Sequence, residues 1–156
     1  MSFVTPGTPN ITDFWTFLET NVQIPTAALP SNSAYPGYAL DQAIGLVLCP
    51  PGGVPAPVMY SLACYNAATH ILFTITPDQP GQNYFTNARS NKGYSLVLPS
   101  TGLVVTTFDQ GTGATNTAPK WADGLTPSQL GFYKTPWGRE YLSWQASYGP
   151  SIVGLT

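Results

Sequence analysis

Between Asn10 and Pro25 the apolar residues Phe14, Trp15, Leu18 and Val22 recur at spacings of three and four, the period of one helical face. Asn10 stands where an N-cap belongs and Asp13 in the first turn, where a negative charge suits the helix dipole, so a helix is predicted over 11–22. After the aperiodic QIPTAALPSNSAYP, the positions Ala39, Leu40, Ala43, Ile44, Val47 and Leu48 predict a second helix over 36–48, which CPPGGVP ends. From Pro57 the residues Val58, Leu62, Tyr65, Thr69, Leu72 and Ile75 again step by three and four, while Ala63, Ala67 and Ala68 leave room for a close neighbour. This is the longest predicted helix, 57–76, and the expected centre of the core. Its last residues, ILFTIT, are β-branched enough to suit a strand instead, and Pro77 stops either one. A shorter helix is predicted over 82–91, with Tyr84, Phe85 and Ala88 on one side and Gly93 as its stop.

Beyond Gly93 the helical period disappears. YSLVL and LVVTTF, parted by the turn signal PSTG, read as a β-hairpin, and DQGTGATNTAPKWADGL has no period, so residues 94–120 are predicted to form a hairpin with a long loop. Thr126–Pro127 and Thr135–Pro136 each place a capping residue before a proline suited to the first helical position. The second pair opens a last predicted helix over 136–148, carrying Trp137, Tyr141, Leu142 and Trp144. The expected fold class is mainly α: a small helical bundle with a long loop or β-hairpin and extended N- and C-terminal arms. Its divisions are an arm over 1–10, one domain over 11–148 and a tail over 149–156. The tail contains Ile152, Val153 and Leu155 and no charge, so it is expected to bind either its own core or a neighbouring subunit, with Pro150 favouring an extended path.

Composition alters the picture in one respect. Only 8% of the 156 residues are charged, against roughly 25% in an ordinary soluble domain, while 43% are hydrophobic. A surface so poor in charge is expected to be covered within an assembly. The five bases, Arg89, Lys92, Lys120, Lys134 and Arg139, are scattered and the net charge is −2, so no cluster neutralises a run of phosphates and sequence-specific nucleic-acid binding is not expected. MSFVTPGTPN has neither a basic start nor an apolar run, which predicts no secretory signal and synthesis in the cytoplasm. Residues 56–75 carry no formal charge over about a membrane-spanning length, but Ser61, Asn66, Thr69, His70 and Thr74 surround that stretch, which reads as a core helix.

Few residues suggest chemistry. One histidine cannot build a triad or a metal site alone, and His70, beside Ile71 and Leu72, reads as a satisfied core histidine. Cys49 and Cys64 could pair only if the Pro-rich turn brought two helices together, and otherwise read as small, reduced, buried residues. No G-x-S-x-G, C-x-x-C or H-E-x-x-H occurs, and the GTG at 111–113 lacks the G-K-[ST] of a phosphate loop, so a non-enzymatic protein with no cofactor and no metal is expected. Arg139 and Glu140 are the only charges of the last predicted helix, and Arg139, set between Trp137 and Tyr141, suits either a surface ion pair beside a buried Trp or an anchor at a subunit interface, where Trp, Tyr and Arg are enriched.

The segments YALDQAIGLVL (38–48), YNAATHIL (65–72), YFTNARSNKGY (84–94) and above all KTPWGREYLSWQASYGP (134–150) resemble a group of small tailed-bacteriophage virion proteins similar to head-to-tail connector or adaptor subunits. The likeness spans most of residues 11–150. It implies a helical bundle assembled in the host cytoplasm as a homo-oligomeric, usually dodecameric, ring at the head-tail junction of the virion. Such a ring joins the portal protein to a tail or nozzle protein, with no membrane contact and an opening that can admit DNA. The arm 1–10, the loop 95–120 and the tail 149–156 would be the gripping extensions. The interface residues would be Trp137, Arg139, Tyr141, Tyr148, Ile152, Val153 and Leu155. A conduit lining often carries acidic residues, and the low charge here departs from that. Alternative readings are a capsid decoration or tail-completion protein and, from another class, a carbohydrate-binding or adhesion module built on exposed Trp and Tyr.

Overall fold

The computed structural model describes residues 8–47, 57–90, 106–109, 112–115 and 131–148, and for 106–109 and 112–115 the backbone alone. The chain is mainly helical. Its elements are α1 (Ile11–Phe17), continued by one π-helical turn (Leu18–Val22), α2 (Tyr35–Leu46), α3 (Pro57–Ile75), α4 (Tyr84–Ser90), the strands β1 (Thr106–Asp109) and β2 (Thr112–Thr115), and α5 (Pro136–Tyr148).

Helix α3 organises the rest, with α1, α2, α4 and α5 gathered around it or its neighbours. From Ser61 to Phe73 it is buried almost all round: Ala63, Cys64, Tyr65, Ala67, Ala68, Thr69, His70 and Leu72 are covered along with the two ends of that run. Among the described residues, Val58–Ile75 alone is a helical stretch long and apolar enough to cross a membrane by length and composition, and most of it lies inside the fold. Small side chains explain the close packing, since Ala39 and Ala43 on α2 and Ala63, Ala67 and Ala68 on α3 are all buried.

The start of α1 is fixed locally and at long range. Asn10 is extended (φ −142°, ψ 160°), and its side-chain oxygen accepts the Asp13 N–H at 2.9 Å, as the N-cap reading expects. The Tyr65 hydroxyl, from the middle of α3, accepts the Asn10 N–H at 3.2 Å and donates to the Asn10 carbonyl at 3.4 Å. The Tyr65 ring stacks on Phe14 at 5.5 Å, a pairing worth about 0.5–1.5 kcal/mol beyond the area it buries. The α-helical ladder stops at Phe17, five residues short of the predicted end, and widens into the π turn. Gln23 then takes a left-handed conformation (φ 59°), and the Ile24 N–H returns to the Leu18 carbonyl at 3.2 Å, which brings Ile24, Ala28 and Leu29 back into the core.

Helices α3 and α4 exchange caps. Asp78, in the connection, accepts the Phe85 N–H at 2.6 Å and the Thr86 N–H at 3.0 Å, satisfying two orphan donors at the start of α4. Arg89, in the last turn of α4, donates to the carbonyls of Phe73 and Thr76 at 2.9 Å each, closing the end of α3. Beneath this clamp Phe85 is buried edge-on against Phe73.

Three expectations need correction. Val58 and Ile75 are exposed: although Leu72, Phe73 and Thr76 beside Ile75 are buried, these two positions lie on the side of α3 that faces solvent. Ile44 is also exposed, since α2 buries a narrower stripe, Pro36, Ala39, Leu40 and Ala43, with Val47 buried just beyond its end. The described β-hairpin pairs Thr106 with Thr115 through Asp109 with Thr112, antiparallel. Thr106, Thr107 and Phe108 therefore pair with the segment that follows them, and residues 94–105, to which the sequence assigns their partner, lie outside the described residues. So do the arm up to residue 7, the Thr126–Pro127 helix start and the tail 149–156.

Candidate functional site

The strongest concentration of polar chemistry in the described residues is a buried junction where α3 meets the start of α5. The sequence T-P-W-G builds it. Thr135 is the N-cap of α5, Pro136 occupies the first helical position at no loss of a needed donor, and the Thr135 hydroxyl accepts the Gly138 N–H at 2.9 Å. The same hydroxyl lies 2.9 Å from His70 Nδ1. Having accepted from Gly138, it has its own proton to donate to the imidazole.

Around this polar pair the packing is aromatic. Phe132 covers the His70 ring at 4.3 Å between centroids and meets Tyr141 at 4.9 Å, while Trp137 stacks on Phe73 at 4.7 Å. Gly138 is where the turn before α5 crosses the helix. A Cβ there would lie 2.0 Å from the Phe132 carbonyl oxygen and 2.8 Å from its carbon, so no larger residue fits without moving backbone.

Electrostatics keep the junction neutral. Burial, aided by the nearby Lys134 charge, lowers the His70 pKa from 6.5 to about 4. The positive end of the α5 dipole acts in the same direction. One turn and a half earlier on α3, burial pushes the Cys64 thiol up to about 11, with a hydrogen bond from Tyr60 only partly opposing it. At neutral pH both groups are uncharged, and the imidazole and the Thr135 hydroxyl already hold each other. Their chemistry is that of a specific interhelical joint. Among the described residues no group of three or more His, Cys, Asp or Glu gathers to hold a metal ion.

The residues named from sequence as an interface divide into groups. Tyr141 is buried within the fold, and Trp137 is half-buried on Phe73. Arg139 is half-buried, with its N–H on the Thr135 carbonyl at 3.1 Å. Tyr148 closes α5, whereas Ile152, Val153 and Leu155 lie outside the described residues. The satisfied core histidine read from sequence is found, and Cys64 is a buried free thiol. Cys49 lies outside the described residues. Sequence reasoning marked Thr135 as a cap but missed its second bond to His70, 65 positions away, and it gave no weight to Gly138. A glycine at the third position of a capped helix, just after an aromatic turn, is the signal that could have found the close approach.

No known protein family, no curated protein and no solved structure matches this chain.

Proposed function

We propose that the chain is a structural subunit of a tailed-bacteriophage virion, a non-enzymatic head-to-tail adaptor that assembles as a ring between the portal and the tail or nozzle. One observation carries the reading: the fold consumes its reactive groups and leaves apolar ones outside. His70 and Thr135 are buried in a neutral joint and Cys64 is a buried thiol, while Tyr38, Ile44, Leu46, Val58 and Met59 remain exposed in a chain with 8% charged residues. Such a balance suits binding by packing within an assembly. The place in the virion rests on the resemblance of KTPWGREYLSWQASYGP to connector subunits. Aromatic residues of that segment serve the core, so partner contacts fall to Arg139, to the exposed apolar positions and to the segments beyond the bundle. The mainly helical fold lends no support to an adhesion module, which would be expected to be all-β.

Electron microscopy of the virion, together with sedimentation of the purified subunit with portal rings, tests this. The expected result is a single ring beneath the portal and co-sedimentation with it. Density on the capsid surface would make the chain a decoration protein. Density elsewhere in the tail, or a subunit that binds no portal ring, would also overturn the adaptor reading.

A further inference from the structure

Where the π-helical turn widens the end of α1 and Gln23 reverses the chain, a cleft of about 270 Å³ opens between the helix and the returning segment. All of its lining lies within the unbroken described stretch 8–47. Leu18, Ile24 and Leu29 form a buried apolar floor, and the half-buried Trp15 forms one wall. The rim is polar and exposed: the Glu19 carboxylate with the Thr26 and Ser31 hydroxyls.

The volume falls below the roughly 300–1,000 Å³ of sites that take a whole small molecule, and suits the insertion of one side chain. An apolar floor beside an aromatic wall, with a carboxylate and two further acceptors at the mouth, matches a long aliphatic stem that ends in a cation, the form of lysine. Glu19 has no hydrogen-bond or ion-pair partner for its carboxylate among the described residues, so its charge is available to such a group. The chain itself presents one. Of the described bases, Arg89 is engaged by the carbonyls of Phe73 and Thr76, and Arg139 is half-buried. Lys134, in the turn before α5, is exposed, and its ammonium makes no hydrogen bond or ion pair among the described residues. Glu19 and Lys134 therefore do not meet within one copy.

We propose that the cleft receives the Lys134 side chain of a second copy, with the stem over Leu18 and Ile24 and the ammonium between Glu19 and Trp15. Repeated head to tail, this contact is of the kind that closes a ring. It rests on the adaptor reading for that ring and adds a named contact to it. A fully exposed ion pair contributes little, but cover by Trp15 and repetition around a ring strengthen it.

Charge reversal in the full chain tests the contact, read by sedimentation velocity across concentrations at low salt. Glu19→Lys and Lys134→Glu each bring like charges together and should weaken self-association on the order of tenfold. Mixing the two variants in equal amounts pairs opposite charges again, as does the double variant, and both should recover the original association. Carbodiimide coupling of unlabelled with isotope-labelled protein should join Glu19 of one copy to Lys134 of another as heavy–light peptide pairs. Single variants that associate as tightly as the original, a mixture no stronger than its parts, or an original chain that stays monomeric with and without portal rings would each overturn the proposal. The adaptor reading fails separately. Rings beneath the portal built from either single variant would remove this contact and leave that reading standing, whereas a heavy–light Glu19–Lys134 link in a chain that binds no portal ring would do the reverse.

Discussion

The joint between His70 and Thr135 makes folding stability depend on pH between about 4 and 6.5. In the unfolded chain His70 takes up a proton near pH 6.5, whereas in the fold it resists until about pH 4. The unfolded state therefore binds more protons between these values. The contribution of the joint is complete above pH 6.5, declines as the pH falls toward 4, and loses nothing further below that. A gap of about 2.5 pH units, at about 1.4 kcal/mol for each, corresponds to about 3 kcal/mol, a large part of the stability of a small domain. His70→Asn places an amide near the position of Nδ1 and removes the titration. Urea unfolding followed by tryptophan fluorescence, run for both proteins from pH 7.5 to 4.5, should show the original losing about 2–3 kcal/mol more than the variant across that range. Taking the difference cancels groups common to both, including the Asp78 carboxyl, which its hydrogen bonds from Thr86 and Phe85 and the Arg89 charge hold below its usual range. Parallel profiles would refute the reasoning, for they would mean that His70 titrates alike folded and unfolded.

Four further outcomes are expected. Gly138→Ala should destabilise by about 3 kcal/mol or more, because its methyl group meets backbone at Phe132, and a thermal melt would show it; a change under ~0.5 kcal/mol would contradict the close approach. Thr135→Ala removes the α5 cap and leaves His70 Nδ1 without its buried partner, for a loss of about 2–3 kcal/mol in urea unfolding, and Thr135→Ser should restore most of it. Arg89→Ala frees two carbonyls at the end of α3 and should cost about 1 kcal/mol, with faster amide exchange concentrated around residues 76–86. Cys64 should resist iodoacetamide at pH 8 in the folded protein and react fully in denaturant; rapid native labelling would show the site to be open.

How far the sequence could be read depends on how local each cause is. Helix α5 begins where T-P at 135–136 predicts, because capping and proline sterics act within a few residues. The same holds for the Asn10 cap, and for α2 and α4, whose ends fall within two residues of expectation. The widening at Leu18 was not legible, since a helical period describes which residues face inward and not how the ladder closes when Ile24 must return to the core. Nor were the long-range joints: nothing near His70 names Thr135, and nothing near Phe73 names Arg89. Trp137 and Tyr141 show the other limit. An aromatic beside an arginine has the composition of an interface anchor, yet Phe73 and Phe132 fill those roles from within the same chain.

The order in which α3 acquires its cover has a consequence during synthesis. Helix α2 leaves the ribosome before α3 and can shield one side at once, but α5 begins 61 residues after α3 ends. At roughly 5–20 residues per second, the side of α3 carrying Tyr60 and His70 waits about 3–12 seconds for its partner. Over that interval a helix of membrane-spanning length and apolar composition is half covered in the nascent chain. The growing polypeptide is then most open to capture by a chaperone or a bilayer, and the hazard ends when the T-P-W-G turn closes onto His70.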